Sequence, residues 1–263
     1  MRLHEIRGIW RIRRFLQRRA QRKQNKIAAR RHNVEAACHR EDFIYRFAMT
    51  AFGPWRTKSA VDYYFDDGFR SAQQFADLVK PFGIAPPVRV LEFASGYGCV
   101  TRHLKKNPDL SLVACDIHPQ ACEFIQDKLS VPCVVSKHVP EEITFDRKFD
   151  VVFALSFFSH MPRSTWGRWI KALFTALDSP GYLVFTTHGL ASLESHGSPE
   201  LPADGFYFAA KSEQDDLSKA EYGSTIVTPA FVRAEVLEQT GMPIFDYKLA
   251  YWWGHQDLWV VRK

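Results

Sequence analysis

No apolar run in this 263-residue chain approaches the roughly 20 residues that a membrane-spanning helix needs, which excludes an integral helical membrane protein. Cysteine is scarce and odd in number. Cys38, Cys99, Cys115, Cys122 and Cys133 never form a C-x-x-C pair and mostly sit in apolar stretches, which argues against a disulfide frame or zinc knot and points to a reducing compartment. Glycine and proline, fourteen each, stay near average usage and exclude a collagen-like or low-complexity chain. Internal repeats are missing, and no His and carboxylate spacing matches a metal-binding pattern, so metal-dependent transfer chemistry is disfavoured. Acid is nearly missing from residues 1–31, where Glu5 stands against twelve Lys and Arg. The remaining residues carry 23 basic and 28 acidic groups, so the overall +6 comes from a basic segment on an acidic body.

Within that segment Leu3, Ile6, Trp10, Ile12, Phe15 and Leu16 recur at helical spacing among arginines, the pattern of a basic amphipathic helix. An anionic membrane surface is the partner this composition favours, with nucleic acid less favoured and a solvated arm the plain alternative. The segment has no serine and no uninterrupted apolar core, unlike a transit or secretory signal, so the expected location is cytoplasmic, with peripheral membrane attachment open.

The sequence divides into the basic arm at 1–31, a helical lid at 32–85 and a main domain at 86–263. In the lid, Ala72, Phe75, Ala76 and Val79 keep the spacing of one helix face before Pro81 and Gly83 end it. From residue 86 onward, short apolar runs alternate with turn signals and helical patterns, the signature of a mostly parallel α/β sheet sandwiched by helices. Strands are expected at 88–93, 110–115, 132–135, 149–155 and 182–187, apolar nearly throughout as strands covered on both faces must be. Two closing strands follow at 244–249 and 258–261, seven in all. A helix presenting Trp166, Trp169, Ile170, Leu173 and Leu177 is stopped by Asp178-Ser179-Pro180-Gly181, and another begins at Thr228-Pro229 and ends at Gly241. Residues 189–223 show no clear periodicity and read as a long loop shaping a site.

The chemistry gathers in Glu92-Phe93-Ala94-Ser95-Gly96-Tyr97-Gly98, where a buried strand ends in an acid, passes a small-residue turn and opens a helix. Small residues let backbone approach a ligand, and amides at the next helix start attract negative charge. Eighteen residues after Gly98, Val113-Ala114-Cys115-Asp116 is a second strand ending in a carboxylate, placed to accept both hydroxyls of an adenosine ribose. A dinucleotide fingerprint would need a glycine at position 101, where the chain has Thr101.

Glu92 to Gly98 resembles motif I of the class I S-adenosylmethionine-dependent methyltransferases, which have a Rossmann-like seven-stranded sheet. Asp116-Ile117-His118-Pro119 resembles motif II, and Phe149 to Ser156 with Phe158-Ser159-His160-Met161-Pro162 resembles motif IV and its turn. Pro180-Gly181-Tyr182-Leu183-Val184-Phe185 is similar to the last parallel strand. The resemblance implies S-adenosyl-L-methionine as cofactor, with Glu92 at the methionine amino group, Ala94, Ser95, Gly96 and Gly98 against the cofactor backbone, Asp116 on the ribose, Ile117 on the adenine and Ser156 at the methionine end. Two departures stand out. Ala94 replaces the first motif glycine, tolerable if its φ is negative, and Ser136 and His138 occupy the stretch where relatives place an acid near the adenine.

Methyl transfer rests mainly on alignment, so no obligatory triad marks the acceptor side. His160, just past the fourth strand, and His188, ending the fifth, are the candidate general bases for a hydroxyl acceptor, each with a structural role as its alternative. Glu221-Tyr222, His255-Gln256-Asp257 and the tryptophans Trp252, Trp253 and Trp259 are candidates for bounding the acceptor pocket or for ordinary packing. Motifs for amino methylation of bases or for pyrimidine carbon methylation are absent. The reading is therefore an O-methyltransferase acting on a small molecule, saccharide or lipid-linked glycan, against the rival of a non-catalytic cofactor-binding scaffold.

Overall fold

The computed structural model describes residues 3–53, 55–211, 214 and 216–263, with side chains from residue 18 onward. Helix α1 (Leu3–His32) leads into α2 (Phe43–Phe52) and α3 (Thr57–Val79), which precede the first strand. The apolar face read at Leu3, Ile6, Trp10, Ile12, Phe15 and Leu16 lies outside the described side chains. From residue 18 the helix exposes Arg18, Arg19, Arg22, Lys23 and Lys26. Its last turns do not form a separate arm. Ala28 and Ala29 are buried against Val61, Tyr64 and Phe65 of α3, Tyr45 donates to Asn25 at 2.9 Å, and Arg31 pairs with Asp62 at 2.9 Å. The boundary expected at residue 31 is thus replaced by a helix continuous into the cap. Small alanines and one asparagine make that contact, and they give little hydrophobic signal.

The sheet begins with β1 (Val88–Phe93), β2 (Leu110–Asp116) and β3 (Cys133–Val135), and continues through β4 (Phe149–Ala154) and β5 (Leu177–His188). These five are parallel in the order β3-β2-β1-β4-β5. Strand β9 (Gln256–Arg262) runs antiparallel beside β5, and β8 (Ile244–Trp252) pairs antiparallel with β9, completing the seven expected strands. Residues 189–223, expected as loop, hold a further strand, β6 (Phe206–Ala209). It pairs with β7 (Ser224–Val227), which touches the end of β5 at His188 and Ile226. Strands of four residues are too short to show periodicity.

Alternation sorts each parallel strand onto two faces. Leu91 and Phe93 of β1 join Val152, Leu183 and Phe185 under α6 (Arg163–Thr175) and α7 (Pro229–Thr240), whereas Val88 and Val90 join Val151, Phe153 and Val184 under Phe75 and Leu78 of α3. Helix α6 packs Trp166, Trp169, Ile170 and Leu173 inward as the spacing implies, but ends at Thr175, so Leu177 belongs to β5. Thr228 Oγ1 accepts from the Phe231 amide at 3.3 Å, and Gly241 at φ +71 stops α7. All five cysteines are free thiols. Among the described residues no helix is long and apolar enough to cross a membrane.

Candidate active site

Strand order reverses between β1 and β4, and a crevice opens at that point at the carboxyl ends of the strands. It is a cavity of about 1050 Å³ lined by Glu92, Ala94, Ser95, Gly96, Asp116, Ile117, Ser136, Ser156 and His160. Nine of the sequence-expected residues therefore share one cavity; Gly98 and His188 are not among its lining residues.

The turn after β1 is folded by left-handed backbone. Ala94 lies at φ +58, Gly96 at +55 and Gly98 at +79, so the condition of a negative φ under which Ala94 would be tolerated is not met. At Gly96 a Cβ would meet nothing within 4 Å, leaving backbone open to the cavity, whereas at Gly98 it would come within 2.4 Å of Leu129 Cδ1. Gly98 is thus favoured by its left-handed backbone and by its close approach to the Leu129 side chain, and it is not among the residues lining the cavity. The following helix α4 (Thr101–Leu104) is a single turn, too short to supply the anion-attracting terminus expected from the sequence.

Glu92 is 4% exposed, and its Oε2 has no hydrogen-bond partner. Burial pushes its carboxyl up to about 8, and the nearby Asp116 adds to the rise. Asp116 is equally buried but well provided with donors: Oδ2 accepts from the Gly96 amide at 2.8 Å, and Oδ1 from the His118 amide at 3.0 Å. His118 Nδ1 lies 2.9 Å from Asp116 Oδ1 and its Nε2 lies 3.1 Å from Asp216 Oδ2. Hydrogen bonding to Asp116 holds the His118 imidazole above its ordinary range. His118 so joins the end of β2 to the 189–223 excursion, a contact that sequence spacing could not show. Ser136 is placed by its amide, which donates to Asp116 O at 2.8 Å.

On the β4 side, Ser156 sits at φ +57 and its hydroxyl accepts from Gln256 Nε2 at 2.9 Å, tying β9 to the turn after β4. The Ser156 amide donates to Thr186 Oγ1 at 2.8 Å. His160 stacks on Tyr222 at 4.5 Å between centroids, and its Nδ1 lies 2.8 Å from Gly223 O. His188 is buried beside His196 with its Nδ1 unpartnered, and burial, reinforced by surrounding histidines, lowers its imidazole to about 3. It is not among the residues lining the cavity, although its ring centroid lies 6.3 Å from that of the lining residue His160. Glu221 and Tyr222 line the cavity, while His255, Gln256 and Asp257 do not. Trp252 and Trp259 are fully buried, and Trp253 lines the cavity.

Two important side chains gave no sequence signal. Arg102 is 1% exposed and its guanidinium donates to Gly98 O at 3.0 Å, to Glu35 O and Ala37 O at 2.9 Å, and to the Tyr64 hydroxyl at 3.0 Å. The Tyr64 hydroxyl in turn donates to Asp42 Oδ2 at 2.6 Å. One cation therefore joins the glycine turn to the cap. Asp67, on α3, lines the cavity from above. Helix α3 approaches so closely that a Cβ on Gly68 would stand 2.2 Å from Cys99 O. Among the described residues no group of acids, histidines and cysteines could hold a metal ion.

Residues 91–183 match the family model described as a methyltransferase domain. No curated protein is significantly similar to the sequence. Among solved structures, an S-adenosylmethionine-dependent methyltransferase from Clostridium acetobutylicum is 13% identical with a TM-score of 0.57, over 74% of this chain and 91% of that one. The CcbJ methyltransferase from Streptomyces caelestis is 15% identical with a TM-score of 0.54, over 74% and 89%. The 1,6-didemethyltoxoflavin-N1-methyltransferase of Burkholderia thailandensis, solved with 1,6-didemethyltoxoflavin and S-adenosylhomocysteine, is 15% identical with a TM-score of 0.52, over 86% and 92%. Residues 91–183 thus match a methyltransferase domain, and the chain shares its fold with S-adenosylmethionine-dependent methyltransferases.

Proposed function

We propose that the protein binds S-adenosyl-L-methionine in the crevice beyond β1 and β2 and methylates a small molecule, O-methylation of a hydroxyl on a metabolite or saccharide being the acceptor chemistry that the sequence favours. The observation that carries this reading is the buried, unpartnered Glu92 Oε2 in the same cavity as Asp116. A buried carboxylate without a donor costs free energy unless a cation or hydrogen-bond donor joins it. The cofactor's charged methionine end has that character, and its ribose hydroxyls fit the remaining lone pairs of Asp116. Ile117 and Ser136 would flank the adenine, and Ala94, Ser95 and Gly96 would lie along the methionine side.

When bound, the cofactor supplies an electrophilic methyl on a sulfonium sulfur, open to in-line displacement by an acceptor lone pair. The residues around it align and exclude water. His160, with Nδ1 donating to Gly223 O, keeps Nε2 as its basic nitrogen and would receive the proton of a hydroxyl acceptor. Calorimetric titration with S-adenosyl-L-methionine tests the reading. Asp116→Ala should weaken binding at least tenfold, about 1.4 kcal/mol; wild-type protein that binds nothing would refute it. The exposed cations of α1 support attachment to anionic lipid. The expected outcome is co-sedimentation with phosphatidylserine vesicles and not with phosphatidylcholine vesicles; equal behaviour in both would remove that attachment.

A further inference from the structure

Helix α3 meets the β8–β9 turn along a single face. Trp253 Nε1 donates to Asp67 Oδ1 at 2.7 Å, Trp252 Nε1 donates to Ser71 Oγ at 3.2 Å, and Gln74 Nε2 donates to Tyr251 O at 2.9 Å. Positions 67, 71 and 74 recur at helical spacing, so Asp67 is the end of a rail that fixes where its carboxylate stands. Behind the lining, Gln256 at the start of β9 donates to Ser156 in the turn after β4, and Trp253 and Ser156 both line the cavity. Asp67 and Trp253 therefore border the end of the cavity beside β4 and β9, away from Asp116 and Ile117 at the end of β2.

Trp253 is held at φ +52, an outlying backbone conformation for a bulky side chain. Strain of that kind persists where surrounding structure enforces it, and it clusters at binding sites. Here it leaves an indole 39% exposed in the cavity wall while its N–H fixes the carboxylate. Asp67 is 5% exposed. Its donors, Trp253 and the more distant Arg70 at 3.5 Å, both fall on Oδ1, so the lone pairs of Oδ2 remain for a ligand. Burial holds its carboxyl above the usual range.

Apart from Glu92 at the end of β1, the other acids and most cations lining the cavity have partners. Arg40 and Arg46 face Glu41, and Arg168 faces Glu141. Asp216 faces His118, Glu221 faces His138, and Asp42 is held by Tyr64 and the Tyr45 amide. Lys137 follows β3, at the far edge of the sheet from β9. Asp67, by contrast, is buried and has only the distant, largely exposed Arg70 as its counter-charge, with Oδ2 facing neither donor, next to an aromatic face.

We propose that Asp67 and Trp253 form the seat for a cationic amine on the methyl acceptor, its ammonium against Asp67 and its apolar flank against the indole. A neutral group would leave the buried carboxylate with only the distant Arg70 as counter-charge, and an anion would be repelled. The seat rests on the methyltransferase reading and adds a substrate class to it: small, amine-bearing molecules. The amine is the handle, whichever atom receives the methyl.

The test uses the full chain saturated with S-adenosylhomocysteine and three probes of one shape, phenethylamine, 2-phenylethanol and phenylacetate, with binding followed by calorimetry or ligand-observed NMR. Phenethylamine should bind at least tenfold tighter than the alcohol, and phenylacetate weakest. Asp67→Asn, which keeps an acceptor for the indole N–H, should erase the preference while S-adenosylhomocysteine affinity stays within twofold. An amine that binds wild type no better than the alcohol overturns the seat without any variant, as does a preference that survives in Asp67→Asn. Failure of S-adenosylhomocysteine to bind wild type would instead bring down the cofactor reading on which the seat rests.

Discussion

An alanine Cβ at φ +58 crowds the neighbouring carbonyl, and Ala94 sits at that angle because the turn between β1 and the cofactor crevice leaves no other path. The strain of a non-glycine there is about 1–2 kcal/mol, while glycine loses about 0.4–1 kcal/mol more entropy on folding. Ala94→Gly should therefore stabilise the fold by about 0.5–1 kcal/mol in urea titration; destabilisation would mean that the Ala94 methyl makes packing contacts that outweigh its backbone strain. The substitution itself was visible in the sequence, but not its conformation, since φ follows from how the turn must return over β2. Glu92 and Asp116 were legible for a different reason: an acid closing a buried strand stands out from its apolar neighbours. Their unequal surroundings were not. Only the fold shows Asp116 meeting the Gly96 and His118 amides while Glu92 keeps an unpartnered oxygen.

At the scale of elements, the buried strands and α6 follow directly from apolar runs and helical spacing. What the sequence concealed is how the N-terminal helices join the site. Arg102 reads as one more basic residue, yet it is buried and spans the Gly98 turn, the Glu35 to Ala37 segment and, through Tyr64, the N-cap of α2 at Asp42. Its partners lie up to 67 residues away in sequence, beyond the reach of any local pattern. Arg102→Met removes donors from the buried Gly98 carbonyl, from two carbonyls of that segment and from the Tyr64–Asp42 pair, so a loss of about 3–5 kcal/mol is expected, read as a lowered urea midpoint. A change below 1 kcal/mol would mean that the cap is held by its apolar contacts alone. The β6–β7 hairpin was hidden for a related reason, since its strands are short and its identity comes from pairing.

Across the whole molecule, the cap, the sheet and the 189–223 excursion converge on one cavity, with acids of different environment at its two ends. Glu92, whose carboxyl burial raises to about 8, is expected to be neutral in the free protein and to meet the positive charge of S-adenosyl-L-methionine on binding. The sign follows from linkage. Near pH 7 the free carboxyl holds its proton, a bound cation favours the carboxylate, and binding must expel the proton; near pH 9 the free carboxyl is already ionised and little is released. Calorimetry of S-adenosyl-L-methionine binding at pH 7 in two buffers of different ionisation enthalpy measures this directly. The account predicts release of close to one proton at pH 7, falling toward zero at pH 9 and lost in Glu92→Gln. Binding heats that are the same in both buffers, or a release unchanged in Glu92→Gln, would contradict it.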